Sequence, residues 1–185
     1  ENHKIIEKMC NALKHRGPDS EGFYFGENVN LGMRRLKIID LENGDQPMFN
    51  KDKSIVTVFN GEIYNYEELR INLIDSGISL KTQSDTETIA FLYEKYGYDF
   101  LNKLRGMFGI AIWDKKKQRL VLARDRLGIK PLYYYFNNGR LIFSSEIKAI
   151  LTNPNISKEI NLNALHHYLT FGYIPAPLSI FKNIY

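Results

Sequence analysis

Four strand-like segments in succession, joined by short turns, limit the fold of this chain more than any other feature. Residues 108–113 and 119–123 flank one turn, and residues 132–136 and 141–144 flank another. The second turn contains Asn138-Gly139, a pair that suits the positive φ angles of a type I′ hairpin. Strands joined this closely pair antiparallel, because a parallel pair needs a long crossover. The sequence therefore predicts antiparallel sheets.

Helical patterns separate these hairpins from earlier strands. Period-two alternation predicts strands over residues 22–25, 29–35 and 54–59. Apolar residues at helical spacing predict helices over residues 5–13, 66–76, 84–97, 99–104, 146–151 and 162–171. Asn65 and Asn161 are expected to cap two of them. Antiparallel sheets covered by helices make an α+β fold, and the pattern does not suit a doubly wound parallel sheet.

Composition excludes several classes of function. The chain has 185 residues and a net charge of +4, and its densest basic run, Lys115-Lys116-Lys117, lies between two strands. A hairpin tip explains that run, so no nucleic-acid partner is expected. The apolar segment 106–113 is too short to span a bilayer, so no membrane role is expected either. A single cysteine is typical of a reducing compartment, and we expect a cytoplasmic protein.

The ends of the sequence favour a piece of a longer protein. Residue 1 is Glu, and helical periodicity begins almost at once. Residues 176–185 read as a loop entering a strand that nothing follows. We therefore expect that residues are missing on both sides.

Metal and thiol chemistry have little support in the sequence. The four histidines include no pair at the i, i+4 spacing that places two imidazoles on one helix face, so no metal site is expected. Cys10 lies in the first helix beside apolar residues, where a buried thiol acts as a small hydrophobic residue.

Polar clusters at strand ends and helix starts are the remaining candidates for chemistry. Each has a simple explanation as a turn or a helix cap. Together they would also suit one small zwitterion, because Arg binds a carboxylate, a carboxylate binds an ammonium, and an Asn amide with a Gly N–H can hold an oxyanion. The clusters are Arg16-Gly17-Pro18-Asp19, residues 34–40, Asn60-Gly61-Glu62 and Ser84-Asp85-Thr86-Glu87.

In this order, and with further motifs, the clusters resemble the glutaminase domain of class II glutamine amidotransferases, above all its asparagine synthetase branch. The further motifs are Gln46-Pro47-Met48, Gly106-Met107-Phe108, residues 124–134 and Ser145-Glu146-Ile147-Lys148-Ala149. The resemblance runs from about residue 15 to residue 149. It implies an N-terminal-nucleophile hydrolase fold, with two stacked antiparallel β-sheets between helical layers (αββα). It assigns residues 1–150 to the glutaminase domain without its N-terminal strand, and residues 151–185 to its end and the lead into a C-terminal synthetase domain.

The resemblance also implies a role for each site residue. Asn60 and Gly61 would be catalytic as the oxyanion hole. Arg35, Ile38, Ile39, Asn60, Gly61, Glu62 and Asp85 would bind L-glutamine, with Arg35 on its α-carboxylate and Glu62 and Asp85 on its α-amino group. The family's nucleophile is a cysteine on a strand before the first helix, so the chain as given is expected to be inactive.

Two alternatives stay open. The module could serve another class II amidotransferase with a different acceptor, or it could bind glutamine without catalysis. No cofactor is expected in this domain, whereas ATP and Mg²⁺ are expected in the synthetase domain of the parent chain. The amide acceptor, the regulation and the oligomeric state, including a homodimer, are not determined by these residues.

Overall fold

The computed structural model describes residues 2–37, 40 and 43–185. The chain divides into two compact units, Glu1–Lys130 and Pro131–Tyr185. This division concerns packing, so the domain boundary expected near residue 150 stays a prediction. In the first unit the elements are, in chain order, α1 (Asn2–Ala12), β1 (Ser20–Phe25), β2 (Asn30–Arg35), β3 (Met48–Phe49), β4 (Ile55–Ile63), α2 (Tyr66–Asp75), α3 (Asp85–Tyr96), a 3₁₀ turn (Gly97–Asp99), α4 (Phe100–Lys103), β5 (Gly106–Asp114) and β6 (Arg119–Arg124).

The described residues of the first unit form two antiparallel sheets. Strands β1 and β2 form a hairpin, and the other sheet has the order β3-β4-β5-β6. Helix α1 packs on β2 at Gly32, where an added Cβ would lie 2.5 Å from the Cys10 Sγ. Strand β2 also contacts β4, and β4 contacts α3. The order in this unit is therefore helix, sheet, sheet, helix, as the sequence predicts.

The largest hydrophobic core lies between the four-stranded sheet and helices α2, α3 and α4. Strand β4 contributes Ile55, Phe59 and Ile63 to it, which share one face because side chains an even number of residues apart lie on the same side of a strand. Phe100 is fully buried and meets the Tyr93 ring edge to face. This core holds strand β4 and the first turn of α3 in fixed positions.

The second unit has its own small core. Its elements are β7 (Tyr133–Asn137), β8 (Arg140–Ser144), α5 (Ile147–Ile150) and α6 (Leu162–Phe171). Ile150, Ile156 and Ile184 are buried together beneath the β7–β8 hairpin. The hairpin turn has positive φ at Asn138 and Gly139, which confirms the predicted turn type. None of the helices in the described residues is both long and apolar enough to cross a membrane.

The two expected caps have different outcomes. The Asn161 side chain accepts the N–H groups of Asn163 and Ala164, so it caps α6 as predicted. Asn65 occupies the N-cap position of α2, but the prediction of a side-chain cap is wrong. Its amide instead donates to the Lys103 carbonyl and accepts the Arg105 N–H at 2.9 Å, which ties α2 to the start of β5.

Candidate functional site

Strand β4 changes character at Asn60. Its residues are buried up to Phe59, whereas Asn60, Gly61 and Glu62 are partly exposed. The sequence places these three residues after the strand, and this is wrong, because they pair with β5 as far as Ile63. The pairing is close: a Cβ on Gly61 would overlap the Met107 carbonyl oxygen and lie 2.8 Å from the Phe108 Cα. The absence of a side chain at Gly61 allows the two strands to meet here.

The backbone N–H of Gly61 points toward the edge of β4 that faces away from β5. Phe59 shows the direction, because its N–H donates to the Gln46 side chain at 2.7 Å and its carbonyl accepts from the same amide at 3.0 Å. Backbone groups of alternate residues in an antiparallel strand point to the same edge. The N–H groups of Gly61 and Ile63 therefore point to the edge that Gln46 covers. The Ile63 N–H faces the Asp85 carboxyl and lowers its pKa, so the Gly61 N–H lies between Gln46 and Asp85.

Asp85 begins helix α3, and the chain before it is tightly held. The Ser84 hydroxyl accepts the Thr86 N–H at 3.2 Å, which caps the helix. The buried Glu87 carboxylate reaches back to accept the N–H groups of Lys81 and Thr82 at 2.9 and 2.7 Å. These bonds fix the position of the Asp85 side chain at the edge of β4.

The Asp85 carboxyl is buried and electrostatically unusual. Burial raises its pKa to about 6, although backbone N–H bonds, including that of Ile63, oppose the rise. The negative charge of Glu62 adds to the increase, which shows that the two carboxyl groups are close. Two neighbouring carboxylates attract a cation, and an incoming ammonium would favour the ionised form of Asp85.

Arg35 is the last residue of β2, and its guanidinium is buried. It donates to the Asp45 carboxylate at 2.9 Å and to the Asp40 carbonyl at 2.8 Å. Gly44 makes this geometry possible, because a Cβ at Gly44 would overlap the Arg35 guanidinium. The guanidinium is thus held against the turn that carries Asp40 and Asp45.

Asp40 connects this turn to the start of α3. One of its carboxylate oxygens accepts the Asn43 N–H at 3.0 Å, and the other accepts the Gln83 N–H at 2.8 Å. These N–H bonds hold the pKa of Asp40 below its usual value. Asp40 has a positive φ, which Asp tolerates better than most residues. Arg35 is therefore linked to the segment that carries Asp85.

The motif at residues 124–134 supports β5 behind the site. The buried Asp125 carboxylate accepts the N–H groups of Phe108, Ile129 and Lys130 at 3.2, 2.9 and 2.9 Å. Its own N–H donates to the Phe108 carbonyl at 2.8 Å. Phe108 is the residue paired with Gly61, so this loop holds the strand that backs the Gly61 backbone.

The structure brings together part of the expected site. Asn60, Gly61, Glu62 and Asp85 come together at the end of β4. Arg35 lies at the end of β2 and bonds the turn that follows. Ile38 and Ile39 lie outside the described residues. Their roles in binding and catalysis stay predictions.

Sequence reasoning gave no role to Gln46, Asp40 or Gly44. Asp40 ends the motif at residues 34–40, and Gln46 begins the motif Gln46-Pro47-Met48. However, no spacing rule predicts that a side chain will bond a distant backbone. The proline after Gln46 was the available signal, because a residue without an N–H cannot continue a strand ladder.

Cys10 is not suited to act as a nucleophile, and the described residues offer no cluster of metal ligands. Cys10 is buried, and burial raises the pKa of its thiol to about 11, so it is a poor nucleophile at neutral pH. In the part of the chain that the structure describes, no group of three or more His, Cys, Asp or Glu residues is arranged to hold a metal ion.

Comparison with known proteins identifies a family. The family model described as "Glutamine amidotransferase domain" matches residues 1–185. The chain is 44% identical to asparagine synthetase [glutamine-hydrolyzing] 1 of Bacillus subtilis over 177 residues, which is 96% of this chain and 28% of that protein. It is 43% identical to a putative asparagine synthetase [glutamine-hydrolyzing] of Methanocaldococcus jannaschii, covering 97% of this chain and 38% of that protein. The chain thus spans well under half of the length of these relatives.

A solved structure supports the fold. The glutamine phosphoribosylpyrophosphate amidotransferase from B. subtilis aligns with a TM-score of 0.67 over 80% of this chain and 40% of that chain. The sequence identity is 18%, so the similarity concerns the fold alone. The predicted class, α+β with antiparallel sheets of the N-terminal-nucleophile hydrolase type, is confirmed.

Proposed function

This chain belongs to the glutamine amidotransferase domain family, and we propose that it is the glutaminase part of an ATP-dependent asparagine synthetase. The reaction converts L-glutamine and water into glutamate and ammonia. The ammonia then amidates aspartate in a synthetase domain of the full-length protein. The identity of 43–44% to proteins named as asparagine synthetases over nearly the whole chain supports this choice of acceptor.

The position of the Gly61 N–H is the observation that carries the proposal. It points out of the sheet edge between Gln46 and Asp85, one residue after Asn60 along β4. A nucleophile that attacks the glutamine side-chain amide turns its carbonyl oxygen into an oxyanion. Two rigid N–H donors beside that oxygen stabilise the charge, and their rigidity comes from the buried part of β4.

The charged residues around Gly61 suit the α-carboxylate and the α-ammonium of an amino acid. The Arg35 guanidinium, in addition to its bonds to Asp45 and the Asp40 carbonyl, would receive the α-carboxylate, while Glu62 and Asp85 would offer negative charge to the α-ammonium. The backbone of Ile38 and Ile39 would line the pocket between them. Both charged groups on the α-carbon of glutamine are thereby held, and its side-chain amide would extend toward Gly61.

The nucleophile that we propose is the family's N-terminal cysteine. The α-amino group of that cysteine takes the thiol proton, and the thiolate adds to the glutamine amide carbon. As the tetrahedral intermediate collapses, the amide nitrogen takes this proton from the α-ammonium, the C–N bond breaks and ammonia leaves. Water then attacks the resulting γ-glutamyl thioester, releasing glutamate and restoring the thiol. Cys10 has no part in these steps, since its thiol is buried against β2.

In the full-length protein, the synthetase domain uses ATP and Mg²⁺ to activate aspartate, and the protein works in the cytoplasm. These parts of the proposal rest on the relatives and on the single cysteine of the sequence.

The test is a product assay on the purified full-length protein with glutamine, aspartate and MgATP. We expect glutamate to form from glutamine, and asparagine to form only when aspartate and MgATP are present. Replacing glutamine by ammonium chloride should still give asparagine. Glutamate without asparagine under any condition would point to an amidotransferase with another acceptor, and no glutamate at all would contradict the glutaminase assignment.

A further inference from the structure

The Gln46 side-chain amide bonds β4 at a position where β3 no longer pairs with it. Strand β3 pairs with β4 at Met48 and Phe49, and the next residue toward the N-terminus is Pro47, which has no N–H to donate. The ladder therefore stops at Thr57. Gln46 takes over two residues further along β4, where its side-chain amide accepts the Phe59 N–H at 2.7 Å and donates to the Phe59 carbonyl at 3.0 Å. The amide thus imitates the backbone of a paired strand.

Gln46 is itself held from the other side. Strand β1 passes so close that a Cβ on Gly22 would overlap the Gln46 carbonyl oxygen and lie 3.2 Å from the Pro47 ring. The preceding residue, Asp45, bonds Ser20 and Arg35, each at 2.9 Å. The Gln46 backbone is therefore fixed between the two sheets, so its side chain meets β4 from a rigid base.

We propose that Gln46 is a positioning residue for the oxyanion site, acting through Phe59 on the Gly61 N–H and the Asn60 amide. The inference rests on the proposed function. Phe59 and Gly61 present their backbone groups to the same edge, and Asn60 lies between them. Without the Gln46 amide, the Phe59 N–H and carbonyl would need water as partners, and the edge of β4 could rotate. Donors that stabilise a transition state must already be aimed, so this rotation slows the chemistry while leaving the substrate-binding charges in place.

The experiment compares three variants of the full-length protein in steady-state glutamine hydrolysis. Gln46→Ala removes both bonds to Phe59, and Gln46→Glu keeps the acceptor but loses the donor. Asn50→Ala is the matched control, because the Asn50 amide accepts the Ile55 N–H at 2.9 Å at the opposite end of the same strand. We expect Gln46→Ala to lower kcat by about ten- to a hundredfold with KM changed by less than about threefold, and Gln46→Glu to lie between it and the wild type.

The control distinguishes positioning from stability. Asn50→Ala should lower the melting temperature at least as much as Gln46→Ala, because Asn50 is buried, yet keep the wild-type kcat. Faster amide exchange at Phe59 and Gly61 in Gln46→Glu would support the same conclusion. An unchanged kcat in Gln46→Ala, or an equal loss in Asn50→Ala, would overturn the inference while leaving the glutaminase intact. A wild-type protein that releases no glutamate would overturn both proposals.

Discussion

Arg35 is the residue on which the recognition of glutamine as an amino acid depends. A bidentate guanidinium contact to a carboxylate is worth about 1.5–3 kcal/mol, and Lys cannot reproduce its geometry. We expect Arg35→Lys to raise the KM for glutamine by about ten- to a hundredfold with a smaller effect on kcat. Steady-state kinetics of glutamate release measure this, and asparagine formation from ammonia should be unchanged.

Arg34 provides the matched control for this prediction. Its guanidinium bonds the Gly17 carbonyl at 2.9 Å and the Glu21 carboxylate at 2.6 Å, on the other face of β2. Arg34→Lys should leave the KM for glutamine close to the wild-type value. If both substitutions raised KM equally, Arg35 would be a structural residue and its assignment to the α-carboxylate would be wrong.

Asp85 makes glutamine binding depend on pH. Its pKa of about 6 means that the carboxyl is ionised above pH 6 and protonated below it, so its attraction for an ammonium is lost as the pH falls. The negative charge of Glu62 contributes to the raised pKa of Asp85. We expect the KM for glutamine to rise about tenfold between pH 7 and pH 5, the ratio of the ionised fractions for a group of pKa about 6.

The Asp85→Asn variant tests whether the titration of Asp85 causes the pH dependence of the KM for glutamine. The amide can still accept the Ile63 N–H, but it carries no charge at any pH. Its KM for glutamine should be high at pH 7 and nearly flat down to pH 5. A variant that keeps the wild-type slope would show that another group governs the pH dependence.

Strand β4 can pair closely with β5 because Gly61 has no side chain. A methyl group there would meet the Met107 carbonyl and force the strands apart, at a φ of 155° that side chains rarely adopt. Gly61→Ala should therefore lower kcat for glutamine hydrolysis by at least about a hundredfold, since the oxyanion donor moves with the strand. Kinetics together with a thermal melt provide the measurement.

Gly77 is the control for glycine replacement in this fold. It has a φ of 85° just past α2, and an added Cβ would have no neighbour within 4 Å. Gly77→Ala should cost about 1 kcal/mol of folding free energy and leave kcat unchanged. Wild-type hydrolysis by Gly61→Ala would mean that β4 tolerates the shift and that its edge is not the oxyanion site.

Among helices and strands, the sequence predicts the bounds well where the pattern is local. Residues 162–171 were predicted as a helix and form α6 with those bounds, because spacing, cap and a Gly after the end agree. The strand that ends in Asn60-Gly61-Glu62 was predicted too short. Polar residues usually mark the end of a strand, and here the close pairing with β5 overrides that preference.

For the whole molecule, the family and the fold class could be predicted from motifs, whereas the support of the site could not. The turn that carries Asp40, Asp45 and Gln46 connects β2, β4 and α3 through side chain-to-backbone bonds. Such bonds depend on where distant segments meet, which no local pattern encodes. All site residues that the structure describes belong to the first compact unit.

Asn60→Ala in the full-length protein is the direct test of whether the end of β4 stabilises an oxyanion formed from glutamine. The lost donor interacts weakly with a neutral carbonyl and strongly with the charged intermediate. We expect kcat for glutamate release to fall about a hundred- to a thousandfold, equivalent to about 2.7–4 kcal/mol, with KM for glutamine close to the wild-type value. A kcat that survives while the melting temperature falls by several degrees would show that Asn60 is a structural strand residue and would contradict the account.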